Sequence, residues 1–174
     1  MNIFYLDHNQ KKCAEYLYDK HVVKMILEYA QILSTTHRLL DGEQAPDILY
    51  KATHKNHPCT IWARESSGNY TWLADLLKET CKEYTHRYGK IHLTERKAIV
   101  DVLQQLPKNI ETGIFFEPPQ CMPDECKGNT AIDGYRKLYA TEKFYLMAYK
   151  NRELPDWLAN LRNEPIKITN TRKS

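Results

Sequence analysis

Between Lys20 and Gly42 apolar residues recur at steps of three and four: Val22, Met25, Ile26, Tyr29, Ile32, Leu33 and Leu40. That spacing lays them along one face of an α-helix, and such a stripe has to be buried against other elements. Asp19 stands where a capping residue belongs, and Gly42 stands where a helix stops. The opposite face carries Lys20, Lys24, Glu28, Gln31, Thr35 and Arg38, one carboxylate among three cations. A helix with one apolar and one cationic face requires helical neighbours and leaves a basic surface.

The same period governs most of the chain. Asn9 can cap a short helix through about Tyr18, and Pro58 suits the first position of another through Arg64. A strong helix is predicted from Asn69 to Tyr88, with Trp72, Leu73, Leu76, Leu77 and Tyr84 inward and Gly89 as its stop. Thr94 to Leu106 reads as a further helix closed by Pro107. The proline-rich stretch 107–128 reads as an irregular loop. Residues 129–150 are predicted as a last long helix carrying Tyr135, Tyr139, Tyr145 and Tyr149, followed by a helical turn at Pro155–Leu161. Ile3–Leu6 is the one strand candidate, too short and isolated to found a sheet. The expected fold is all-α: a compact single-domain helical bundle with long irregular loops over residues 1–162, then a flexible basic tail over 163–174.

Composition agrees. Of 174 residues, 42% are hydrophobic and 27% charged, enough for one core and unlike a disordered or fibrous chain. No apolar run reaches the length that spans a bilayer, and MNIFYLDHNQKK lacks the features of a secretory signal, so a cytoplasmic protein without membrane contact is expected. Five cysteines, at 13, 59, 81, 121 and 126, form no CxxC pair, which fits reduced thiols. A net charge of +3 permits nucleic acid as a partner without requiring it. Twelve tyrosines are the oddity. They suit either a surface facing a polar ligand or, more plainly, a core finished with Tyr.

Three groups of residues bear on chemistry. In Asp19-Lys20-His21-Val22-Val23-Lys24, Lys24 lies four residues before Glu28 and His21 seven before it, all near one azimuth. This is either an ordinary exposed ion pair or a carboxylate ringed by cations at an anionic-ligand site, able to stabilise a cationic transition state. The second group runs from Thr53 to Arg64 and holds His54, Asn56, His57, Pro58, Cys59, Trp62 and Arg64. It reads as a helix start with hydrogen-bonded His, as a nucleic-acid contact, or as a metal nuclease on His54 and His57 with Cys59, completed by Cys121 and Cys126. The third group, Tyr135-Arg136-Lys137-Leu138-Tyr139, interleaves aromatic and basic residues as base stacking and phosphate pairing require, or simply packs as a helix with a solvated face.

With these residues in view, the chain resembles the pyrimidine-dimer DNA glycosylase family, the phage endonuclease V type with AP-lyase activity. Asp19-Lys20-His21-Val22-Val23 followed by Glu28 is similar to the family's D-x-H-apolar-apolar segment, whose helix carries the catalytic Glu. Asn56-His57-Pro58 with Arg64 is similar to an N-H-P motif of its bacterial branch, and Tyr135-x-x-x-Tyr139 after a proline-rich loop to its aromatic C-terminal segment. The resemblance implies base excision, of a pyrimidine by analogy, from double-stranded DNA by a monomer without cofactor, in the host cytoplasm if phage-encoded. It implies Glu28 as the catalytic carboxylate with His21 beside it. The implied nucleophile is an N-terminal amine. The family exposes that of a small residue by removing Met, whereas position 2 here is Asn2, which leaves the amine of Met1, or of Asn2 after Met removal. Lys24 is the substitute within the chain. Lys20, Arg38 and Arg64 would hold phosphates, Asn56 and His57 would bond bases or phosphates, Trp62 would wedge into the stack, and Tyr135, Arg136 and Tyr139 would stack and pair. A non-catalytic nucleic-acid-binding protein using the same basic face is the rival from another class.

Overall fold

A computed structural model describes residues 1–163; the tail expected over 163–174 lies outside them from residue 164 on, and Asn163 is the last residue of a helix. The described residues form eight α-helices and no strand. In chain order these are α1 (Gln10–Tyr16), α2 (Asp19–Asp41), α3 (Pro58–Glu65), α4 (Ser67–Tyr88), α5 (Leu93–Arg96), α6 (Ile99–Val102), α7 (Ala131–Ala140) and α8 (Asp156–Asn163). The two long helices, α2 and α4, pack on each other, with α3 against both and α1 against α4. None of the described helices is long and apolar enough to cross a membrane.

Helix boundaries follow local chemistry where that chemistry is strong. The Asn9 carboxamide caps α1 by accepting from Lys12 N–H at 3.0 Å. Gly42 (φ +56°) and Gly89 (φ +67°) end α2 and α4, and each donates its N–H back to the last turn. His57 caps α3 through Nδ1, with Pro58 at the first helical position. Ser66 caps α4, whose first turn also bonds to the proline-rich loop: Ser67 N–H donates to Glu111 O at 2.8 Å and Gly68 N–H to Gly113 O at 3.0 Å. A Cβ on Gly68 would stand 2.6 Å from the carbonyl carbon of Ile114, so only glycine admits this approach. The loop is thereby fixed on the end of α4.

Two predicted helices are shorter than their spacing suggests. The stretch Thr94–Leu106 breaks at Ala98 (φ +62°) into α5 and α6. A left-handed alanine costs about 1–2 kcal/mol. Burial of Ile99, Val100 and Leu103 to 5% exposure or less contributes about 1.5–3 kcal/mol for each large side chain, so packing wins. The helix predicted over 129–150 ends at Ala140, where Thr141 leaves helical geometry. The chain then folds back so that Asp19 N–H reaches Ala148 O at 2.9 Å and the Tyr149 hydroxyl donates to Tyr16 O at 2.6 Å. A continuous helix would forfeit both contacts. The Ile3–Leu6 segment is no strand but an extended thread through the core, buried along its whole length.

The core is one cluster, and tyrosines join its parts. Tyr18, Tyr29, Tyr70, Tyr135 and Tyr139 are buried, and every hydroxyl has a partner. Tyr18 donates to Tyr139 O at 2.6 Å, Tyr70 to Leu103 O at 2.8 Å, Tyr135 to Pro119 O at 2.7 Å and Tyr29 to Ile3 O. At the other end of α2 lies Arg87, whose side chain is 0% exposed. Its guanidinium donates to Glu83 at 2.9 Å, Leu17 O at 2.7 Å, Asp19 at 3.1 Å and Glu15 O at 2.9 Å. Asp19 therefore does not cap α2 itself. Its carboxylate receives Arg87 and the Lys150 N–H, at 2.9 Å, instead. Burial alone would raise the Glu83 carboxyl, but the hydrogen bonds and charges of Arg152 and Arg87 outweigh it and hold the pKa low. The carboxylate thus stabilises the fold at neutral pH, and that contribution is lost as pH falls through the folded-state pKa. Replacing Arg87 with Ala should destabilise the protein by about 3–5 kcal/mol, because Glu83 loses a buried partner and the last carbonyls of α1 lose their donor. Urea unfolding should show the lowered midpoint with an unchanged slope.

Candidate active site

The chain begins in a cleft bounded by α2, α3 and the proline-rich loop, and each wall holds it by a separate bond. Asn2 Oδ1 accepts from the N–H groups of Ile3 at 2.7 Å and Phe4 at 3.2 Å, while its amide donates to Cys121 O at 3.0 Å. Phe4 sits at φ +56°, a strained turn for a bulky residue. It is fixed by a stack on His21, with ring centroids 4.2 Å apart and planes 13° from parallel. Met1 Sδ accepts from Thr60 Oγ1 of α3 at 3.5 Å. The Tyr29 hydroxyl of α2 holds Ile3 O, and the charges of Met1 and of Glu28 both act on His57, which brings the three groups into one neighbourhood.

Glu28 is the carboxylate of this cleft. It is 17% exposed and accepts no hydrogen bond among the described residues. Its ion partner Lys24 stands 3.8 Å away and is 69% exposed, too solvated to neutralise it strongly. His57 faces the same space. Burial, reinforced by the Met1 ammonium and His54, pushes its imidazole below the ordinary range against the pull of Glu28. The ring is therefore neutral at pH 7. Since Nδ1 accepts from Cys59 N–H at 3.1 Å, the proton is assigned to Nε2, free to donate.

The remaining sequence-derived site residues fall into three places. Lys20, Lys24 and Asn56 are exposed and available to a large ligand. Arg38 and Arg64 are half-buried and spend donors on the chain itself, Arg38 on Leu49 O at 2.7 Å and Tyr50 O at 3.2 Å, Arg64 on Lys55 O at 2.7 Å. Arg136 is tied to Leu6 O at 2.8 Å and Asp7 at 3.1 Å, so it anchors the N-terminal segment. Trp62, Tyr135 and Tyr139 are core residues at 2% exposure or less, and none presents a ring to a base. Their aromatic and basic spacing is that of a packed helix face.

His21 is likewise a packing residue. It is buried, stacked on Phe4 and bonded through Nδ1 to the Tyr139 hydroxyl. Desolvation, with Lys143 and Lys24 adding to it, lowers its pKa to about 3. Its contribution to the cleft is to position the turn at Phe4, and so the start of the chain.

Of the metal set read from the sequence, His54, His57, Cys59, Cys121 and Cys126, the structure brings together His57, Cys59 and Cys121. All five cysteines are thiols, and Cys59 Sγ lies 3.6 Å from Cys121 Sγ, beside His57. The hydrogen bond from Cys59, aided by the Tyr135 hydroxyl, Lys127 and the Met1 ammonium, brings the Cys121 thiol down to about 7 against its burial. Burial and the same bond push Cys59 up. His54 bonds Thr53 instead of completing a His54–His57 pair, and Cys126 lies against Thr141. An open groove of about 380 Å³ lined by His8, Trp72, Asp75 and Phe115 includes none of Met1, Glu28 or His57.

A half-buried helix carboxylate beside an amine terminus, in an all-helical fold with lysines on the rim, offers what amine-based excision of a base requires. A model of the pyrimidine dimer DNA glycosylase family matches residues 1–96, from the chain's first residue through α5. The chain belongs to that family of DNA-acting enzymes. The matched region includes Met1, Lys24, Glu28, Asn56 and His57, and excludes Cys121 and α7. No match was found among curated proteins or solved structures.

The neutral buried His21 has a measurable consequence. The unfolded chain takes up a proton there below about pH 6.5 while the folded chain does not, so stability falls as pH drops from about 6.5 toward 3. In His21→Asn that acid loss should be shallower, by up to about 1.4 kcal/mol per pH unit. Urea unfolding at intervals between pH 7 and pH 4 measures the difference.

Proposed function

We propose that this protein is a DNA glycosylase with AP-lyase activity that removes a damaged or modified base, a pyrimidine, from duplex DNA. Residues 1–162 act as one helical unit. The observation that supports the reading is that three elements bind the first residues of the chain where the charges of Met1 and Glu28 both act on His57. Reaching C1′ of the sugar requires bending the duplex or flipping a nucleotide, at a cost of about a few kcal/mol.

The deprotonated amine of Met1, or of Asn2 after Met removal, attacks C1′. The glycosidic bond breaks, its electron pair leaves with the base, and the base takes up a proton. Glu28 stabilises the positive charge that develops on the sugar, and the absence of competing donors leaves its charge undivided. Loss of a proton from nitrogen and opening of the sugar ring give an imine. Removal of the C2′ proton, with Glu28 as base, expels the 3′ phosphate and breaks the strand. Neutral His57 donates from Nε2 to the departing base or a phosphate. Lys20, Lys24 and Asn56 contact the backbone, and Arg64 contacts it through donors not spent on Lys55.

Glu28→Gln should keep the fold, with a stability change under about 0.5 kcal/mol, and lose base release on a panel of damaged and modified duplexes. Unchanged turnover would return Glu28 to a surface ion pair. Borohydride should trap an imine adduct that peptide mapping places on the N-terminal residue. An adduct on Lys24, abolished by Lys24→Ala, would move the nucleophile there. Binding without base release or adduct would favour the non-catalytic reading.

Affinity for DNA should fall steeply with salt, and Lys20→Ala should lower the log–log slope by about 1. Arg38→Ala should chiefly lower stability, since its guanidinium holds the 47–50 loop. Binding titrations across salt concentrations, alongside thermal unfolding, separate the two effects.

A further inference from the structure

We propose that His57, Cys59 and Cys121 form a site for a thiophilic divalent cation, zinc foremost, whose fourth position opens toward the start of the chain. One ligand atom from each of the three residues lies within 4.8 Å of the others. The two sulfurs are 3.6 Å apart. Four ligands around zinc at about 2.3 Å per Zn–S bond place two thiolates about 3.8 Å apart, so the observed spacing is close to a tetrahedral edge. It is far longer than the about 2.05 Å of a disulfide.

The frame is rigid at every ligand. His57 and Cys59 flank Pro58 at the start of α3. Cys121 is fixed on both sides of its peptide: its N–H donates to the Tyr135 hydroxyl at 3.3 Å and its carbonyl accepts from Asn2 at 3.0 Å. Two sulfurs and one imidazole nitrogen form a soft donor set that suits zinc and disfavours magnesium or calcium. Binding releases the two S–H protons to solvent and leaves a pair of thiolates on the dication. The neutral imidazole has one lone pair, so His57 gives up its bond to Cys59 N–H when it ligates. One hydrogen bond is exchanged for a metal bond. The site joins α3 to the proline-rich loop directly behind Asn2; it shares His57 with the proposed reaction, and metal binding is read out separately from base release.

Cobalt(II) is the probe. Added to the reduced full-length protein in a thiol-free buffer, it should bind one to one. It should give the intense near-ultraviolet sulfur-to-cobalt charge-transfer band of thiolate ligation, and stoichiometric zinc should displace it. Cys121→Ser should weaken cobalt binding at least tenfold and diminish the band, while Cys126→Ser should leave both unchanged. Circular dichroism establishes that each variant is folded. If Cys121→Ser does not fold, alkylation of the wild-type protein decides: zinc should protect Cys121, the half-exposed thiol of the pair, and a chelator should restore its labelling. Absence of the band, a band that survives in folded Cys121→Ser, or alkylation of Cys121 at the same rate with and without zinc overturns the site.

Discussion

Arg87 is the point at which the architecture is tied. A guanidinium with no solvent contact is tolerable only when its donors are satisfied, and here they are met by two carboxylates and by the last carbonyls of α1. The arrangement fixes α4 to the end of one helix and the beginning of another. It neutralises the acid in the first turn of α2 and meets the partial negative charge at the end of α1. The C-terminal segment joins the same knot through Arg152 on Glu83 and through Tyr149, whose ring lies 5.5 Å from the guanidinium. With α2 held at this end, its other turns present Tyr29 and Glu28 to the cleft.

The tyrosines extend the same logic into apolar surroundings. A phenylalanine would fill the same volume, but it would leave the carbonyls of Ile3, Pro119 and Leu103 without the donors they now have. Each ring therefore packs while its hydroxyl fixes a non-helical strand or loop to a helix. The abundance of Tyr thus reflects how many irregular segments have to be held in place, and the N-terminal thread is foremost among them.

What the sequence makes legible is local. Spacing over 19–42, the stops at Gly42 and Gly89 and the start at Pro58 act within a few residues and survive into the fold. The helix break at Ala98 and the turn at Thr141 do not show, because burial of Ile99 and Leu103 and the return of Tyr149 to Tyr16 are tertiary gains. Residues with an apolar body and a polar tip are the ambiguous ones. Trp62, Tyr135, Tyr139 and His21 fit a ligand surface by type, yet each tip finds its partner inside the protein. Glu28, the candidate carboxylate, stands out in the sequence as a lone acid on a basic face. Cys59 and Cys121 stand together in the metal reading of the sequence, but no spacing rule separates them from His54 and Cys126, which the fold sends elsewhere.

The buried N-terminal thread also orders events in time. Met1 to Leu6 are made long before the residues that hold them: Asn2 bonds a partner 119 residues away and Leu6 one 130 residues away. Loops of that size cost only slightly more entropy than shorter ones, but contacts at long separation slow folding markedly. The two long helices and α3 are complete in the growing chain while the first six residues still lack the loop and the helix that hold them. The N-terminal thread therefore cannot be fixed until the proline-rich loop and α7 have been made, and a nascent chain carries Glu28 well before the start of the chain is held in place.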